Sequence, residues 1–107
     1  MHDDDRGGHH RHHTKDLRLC RQVFDALTYA LAEIDDPMID DLVLVAVVPA
    51  PSAARVQVIL STTREDLDHD AALARLHAVT EDLREDVAAE INRRRVPELA
   101  FRITHEQ

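Results

Sequence analysis

Leu17, Cys20, Phe24, Leu27, Leu31 and Ile34 recur at steps of three and four residues, the spacing of one face of an amphipathic helix. Val23, Ala26 and Ala30 widen that stripe, and Thr14 or Asp16 can cap its start. Asp35-Asp36-Pro37 ends the helix, because proline disfavours the helical conformation in the residue before it. Residues 42–48 are an unbroken run of Leu, Val and Ala, too short and too β-branched for a buried helix. That composition predicts a central strand. After the turn Pro49-Ala50-Pro51-Ser52, Val56, Val58 and Leu60 alternate with Arg55, Gln57 and Ile59, so a second strand pairs back as a hairpin.

Residues 61–70 are polar and acidic and lead into a helix start. Leu73, Leu76, Val79 and Leu83 then mark one helical face, which Val87 and Ile91 continue. Thr80 falls near the middle of this stretch, where a bend would divide it into two helices. Beyond Val96-Pro97, Leu99, Phe101 and Ile103 alternate as a third strand. The predicted order is helix, strand, strand, helix, helix, strand. A three-stranded sheet with its helices packed on one face makes a two-layer α+β domain. No internal repeat is visible.

A length of 107 residues suits a single domain. Residues 1–13 hold no apolar side chain after Met1, so a disordered His-rich tail is expected there and the folded domain over 14–107. The five tail histidines could bind Ni²⁺ or Zn²⁺ loosely, but a solvated tail is the simpler reading. Cys20 is the only cysteine, which excludes an intrachain disulfide and a thiolate zinc site and suggests a packed thiol. No run approaches the roughly 18 apolar residues of a membrane helix, and no secretory signal is present, so a cytoplasmic protein is expected. The only glycines, Gly7 and Gly8, lie in the tail and cannot form a phosphate loop. His69, His77 and His105 stand in separate segments without a nucleophile to activate. Asp66-Leu67-Asp68-His69-Asp70 lacks the glycine and spaced glutamate of a calcium loop. No catalysis, cofactor, metal or small-molecule substrate is expected, and nothing argues against a monomer.

The formal net charge of −8 is unusual for a protein that grips phosphate, where affinity comes largely from Lys and Arg displacing counterions. Distribution therefore matters more than the sum. Lys15, Arg18 and Arg21 sit about a turn apart on the first helix. Arg55, Arg84, Arg93, Arg94 and Arg95 complete the basic candidates. The triple arginine could equally complement the negative end of its helix. Acids gather elsewhere: Asp35, Asp36, Asp40 and Asp41; Glu65, Asp66, Asp68 and Asp70; Glu81, Asp82, Glu85, Asp86 and Glu90. A polarised molecule and plain solubility both account for them.

The element order is that of a type II KH domain. Arg94-Arg95-Val96-Pro97-Glu98-Leu99-Ala100-Phe101 resembles the segment leading into the last strand of the ribosome-binding factor A family. Ala30-Leu31-Ala32-Glu33-Ile34-Asp35-Asp36-Pro37 resembles the end of that family's first helix, and Ala54-Arg55-Val56-Gln57-Val58 its second strand. The resemblance covers roughly residues 17–103. It implies a cytoplasmic, non-catalytic factor that binds the small (30S) ribosomal subunit and its rRNA and assists late maturation of 16S rRNA. It also implies an interhelical kink at Val79, Thr80 and Glu81. Here the chain departs from the family, which carries a glycine in that turn, and Met38 stands where an arginine often follows Asp-Pro. The alternative reading is a divergent KH-like protein-interaction module without RNA binding.

Overall fold

The three strands form one sheet in spatial order β1 (Val43–Pro49), β2 (Arg55–Thr62), β3 (Glu98–His105). The computed structural model describes residues 3–50, 54–91 and 95–105, with side chains of the first helix from Leu17 onward. β1 and β2 are antiparallel and need only the short turn between them. β2 and β3 are parallel, which demands a crossover. Helices α3 (His69–Ala78) and α4 (Thr80–Ile91) supply it.

The helix-facing side of the sheet is built from Val56, Val58 and Leu60 of β2, all buried, flanked by Leu44, Val47, Leu99 and Phe101. Leu76, Leu83, Val87 and Ile91 meet it from α3 and α4. The first helix, α1 (Asp3–Ala32), packs on both α4 and β1. Its buried stripe is rotated from the one read in the sequence. Val23, Ala26, Leu27 and Ala30 are in the core, Phe24 and Leu31 are half-buried, and Leu17 is 48% exposed. The small side chains of Ala26 and Ala30 let α4 approach closely, which turns the bulkier ridge toward the sheet edge. Cys20 is buried, as its position in the apolar pattern suggested.

The helix begins at Asp3, ahead of the Thr14 start that the apolar stripe predicts. Extending a helix from an existing nucleus fixes few dihedrals per added hydrogen bond, so polar residues can join it without packing. The first core side chain among the described residues is Cys20.

The run at 42–48 is not a central strand. β1 lies at the edge of the sheet, and β2 holds the centre. The hairpin places β1 on one side of β2, and the crossover delivers β3 to the other. Val43 and Val45 are consequently 59% and 52% exposed, and the pairing register of β1 slips by one residue between Leu44 and Ala46.

A four-residue helix, α2 (Pro37–Asp40), also went unpredicted. Asp36 caps it, its carboxylate accepting from the Met38 amide at 2.9 Å, with Pro37 at the first helical position. The break that ends α1 thus starts the next helix. Asp36 also receives Arg75 Nε of α3 at 2.8 Å, tying α2 to α3. Arg64 joins Asp41 to Asp66 beside them. Asp68 caps α3 by accepting from the Ala71 amide at 3.1 Å. The acid-rich 61–70 segment is therefore used in capping and ion pairing.

Desolvation alone would push the Asp36 carboxyl up, but the Met38 amide and the Arg75 guanidinium outweigh it and hold the carboxyl below its usual value. The stabilisation is therefore complete above the ordinary carboxylate pKa and is lost as pH falls through the lowered one. Asp36→Asn keeps a capping oxygen but removes the charge. Its melting temperature should lie below the parent's at pH 7, with the gap narrowing progressively as the pH falls below the ordinary carboxylate value of about 3.9. A gap that stays constant in thermal melts across that range would show that the Arg75 ion pair contributes nothing.

Candidate nucleic-acid interface

Parallel pairing aligns the starts of β2 and β3, with Arg55 opposite Glu98 and Val56 opposite Leu99. The segment before β3 therefore lies beside the segment before β2, and the Glu98 amide donates to the Ala54 carbonyl at 2.9 Å. α1 runs antiparallel to β1. Its residues Leu17, Cys20 and Arg21 lie against Ala46 and Val47, while Thr28, Leu31 and Ala32 lie against Leu42, Val43 and Leu44. The first-helix arginines, Arg55 and Arg95 are thus brought toward one end of the domain. Asp25 and Glu98 stand at that end too, beside Arg21 and Arg55, while Asp36, Asp40, Asp41, Asp66 and Asp68 collect at the other.

The candidates differ in how free they are. Arg18 and Arg21 are exposed on α1 and have no polar partner among the described residues. Arg95 is likewise exposed. Arg55 is exposed but holds Glu98, with Nη2 3.0 Å from Oε1. Arg84 is half-buried and faces inward. It donates from Nη2 to the Val96 carbonyl at 3.0 Å and from Nε to the Pro97 carbonyl at 3.3 Å, with Glu81 3.8 Å away. Its geometry fastens α4 to the segment before β3. The side chain of Lys15, together with Arg93 and Arg94, lies outside the described residues.

The break between α3 and α4 falls at Val79, whose φ of −106° and ψ of 9° are open to any L-residue. This kink needs no glycine. The Thr80 hydroxyl donates to the Leu76 carbonyl at 2.9 Å, and the Leu83 amide donates to the Val79 carbonyl at 2.9 Å, so hydrogen bonding continues through the bend. Glu81 and Asp82 are exposed in the first turn of α4. They suit the positive end of that helix. They also put two carboxylates where a phosphate would otherwise sit.

Reading the sequence missed Arg102. It is exposed in the middle of β3, on the sheet face opposite the helices, and has no polar partner among the described residues. The signal was present, since Phe101 and Ile103 point into the core and the residue between them must point out. Arg64 and Arg75 were also passed over, but both are engaged by carboxylates. Among the described residues no group of three His, Cys, Asp or Glu side chains is placed to hold a metal ion, and no helix is long and apolar enough to cross a membrane.

An α+β domain whose three-stranded sheet joins a hairpin to a parallel strand through a kinked helix pair has the KH-like architecture. Known structures that share it with this chain include two of ribosome-binding factor A. The crystal structure of ribosome-binding factor A from Thermus thermophilus superposes with a TM-score of 0.69 at 25% identity, covering 82% of this chain and 94% of that one. A homology model of the Thermus thermophilus factor, fitted into a cryo-EM map of a 30S–RbfA complex, gives a TM-score of 0.61 at 22% identity, covering 83% and 90%. No protein-family model matches the chain, and no curated protein matches it. The resemblance to ribosome-binding factor A read from the sequence therefore holds in three dimensions over most of the chain.

Arg84 and the first-helix arginines should separate in a stability measurement. Arg84→Ala removes two hydrogen bonds from a charged donor to backbone carbonyls and should cost about 1–3 kcal/mol in urea unfolding. Arg18→Glu and Arg21→Glu, which break no described contact, should stay within about 0.5 kcal/mol of the parent. An Arg84→Ala variant as stable as the parent would return Arg84 to the group of free cations.

Proposed function

We propose that this protein is a ribosome assembly factor that binds the small ribosomal subunit and assists late maturation of its 16S rRNA. The observation that carries the reading is the likeness to the Thermus thermophilus factor over 82% of the chain, one such structure having been fitted into a map of a 30S complex. The charge layout supports it. Arg18, Arg21 and Arg95 are exposed without partners among the described residues at one end, and Lys15, Arg93 and Arg94 neighbour them in sequence. Arginine suits this role because its planar fork can donate two parallel hydrogen bonds to a phosphate. Arg55 joins them by exchanging Glu98 for phosphate, and Arg84 holds the segment that presents Arg95.

Among the described residues the exposed aromatic ring is Tyr29, about two turns along α1 from Arg21, so recognition rests mainly on backbone shape and phosphate contact, with little base stacking. The kink at Val79, Thr80 and Glu81 serves packing, and its carboxylates face away from the RNA. The protein acts in the cytoplasm without catalysis, through residues 14–107, and the tail at 1–13 is dispensable for binding.

Co-sedimentation with purified small and large subunits across a salt series tests this. The parent should bind the small subunit selectively, and binding should weaken as salt rises. Arg18→Glu, Arg21→Glu and Arg94→Glu together should lower the affinity severalfold. They should also flatten the log–log salt slope by about 2, at roughly 0.7–0.9 per lost phosphate contact. Absence of binding at low salt would instead assign the chain to a KH-like protein-interaction module, which its net charge of −8 would suit.

A further inference from the structure

α1 is a single helix from Asp3 to Ala32, so the helical period orders the residues ahead of Leu17 as it orders those after it. That turns a histidine-rich composition into a spacing. His9, His13 and Asp16 continue backwards, in alternating steps of four and three, the line that carries Cys20, Val23 and Leu27 into the core. His12 lies three residues from His9, and Asp5 lies four before it. These five positions share one face of α1.

The cations of the same segment are distributed differently. Arg11 and Lys15 fall on the opposite side of the helix, and Arg6 and His10 border the face that holds His9 and His13. Three imidazole positions and two carboxylate positions are thus grouped where only Arg6 adds a positive charge at the margin. Two histidines four residues apart on a helix are one turn apart, the spacing at which a pair of imidazoles can share one metal ion. Histidine is a ligand in its neutral form, which predominates at neutral pH.

We propose that the first turns of α1 form a binding site for a divalent transition-metal ion such as Zn²⁺, with His9 and His13 as its chelating pair. His12 adjoins the pair, and Asp5 and Asp16 stand one turn away on either side to supply a further ligand. Imidazole donors select Zn²⁺, Ni²⁺ or Cu²⁺ over Ca²⁺ and Mg²⁺, which take shells of oxygen. One helix face offers only part of a coordination shell, so the remaining positions stay open to water. The ion bridges successive turns and so pins the start of α1 in helical form. The proposal is independent of the ribosomal reading. It departs from the solvated tail and the absence of metal expected on sequence grounds, because that expectation gave residues 1–13 no period.

Calorimetric titration of the full 107-residue chain with Zn²⁺, near neutral pH in a buffer that does not chelate, tests it. The expected result is saturable binding of one ion per chain. His9→Ala combined with His13→Ala should weaken binding by more than about tenfold, the scale on which even outer-shell partners of a metal count. His2→Ala combined with His10→Ala removes as many imidazoles and should leave binding largely unchanged. Arg11→Pro keeps every histidine but breaks the helix between His9 and His13, so it should weaken binding as the first pair does. All these positions precede Cys20, the first core side chain among the described residues, and thermal melts should show each variant folded. Absence of Zn²⁺ binding overturns the proposal. So do equal losses in the two double variants, which would tie binding to the number of histidines and not to their spacing. An Arg11→Pro variant that binds as the parent does overturns it as well.

Discussion

The parallel pairing of β2 with β3 is the constraint that shapes everything else in this molecule. Two parallel strands cannot be joined by a turn, so the chain must leave the end of β2, cross the sheet and return to the start of β3. That journey is α3 and α4, and it fixes which face of the sheet is covered. It also fixes the chemistry of the ends. Arg55 and Glu98 stand opposite each other because both open their strands, and Arg95 precedes them on the return segment. Had β3 been antiparallel, the arginine-rich segment would have emerged at the end occupied by Asp41, Asp66 and Asp68.

A chain with a net charge of −8 can still offer RNA a favourable surface if the two signs are kept apart. Much of the acid here is committed locally. Asp36 caps α2 and binds Arg75, Asp68 caps α3, and Asp41 and Asp66 share Arg64. Arg18, Arg21 and Arg95 are left exposed and without polar partners among the described residues. Screening over a Debye length of about 8–10 Å at physiological salt limits the reach of carboxylates at the far end.

Period-based reading recovered what periodicity encodes. The alternation of Val56, Val58 and Leu60, the face shared by Leu76, Leu83 and Val87, and the order of elements were all legible, because each repeats a burial pattern over several residues. Spatial order was not. β1 is richer in Val than an edge strand needs, and only the connection of β3 to the far side of β2 shows that it is not central. Four residues of α2 are too few to show a period, although Asp36-Pro37 carries a start signal. The role of Arg84 was hidden for another reason. Its partners are backbone carbonyls of Val96 and Pro97, more than ten residues away, and no side-chain pattern announces them. Arg102, by contrast, was readable from its strand alternation and was overlooked.

On the proposed reading, RNA meets the end of the domain where β2 and β3 begin, not the bend between α3 and α4. Backbone amide hydrogen exchange, compared for the free protein and for the protein on the small subunit, tells these two surfaces apart. Slowed exchange at 17–25, 54–57 and 95–98 on binding is the expected result. Protection confined to 78–82 and the first turn of α4 would contradict it.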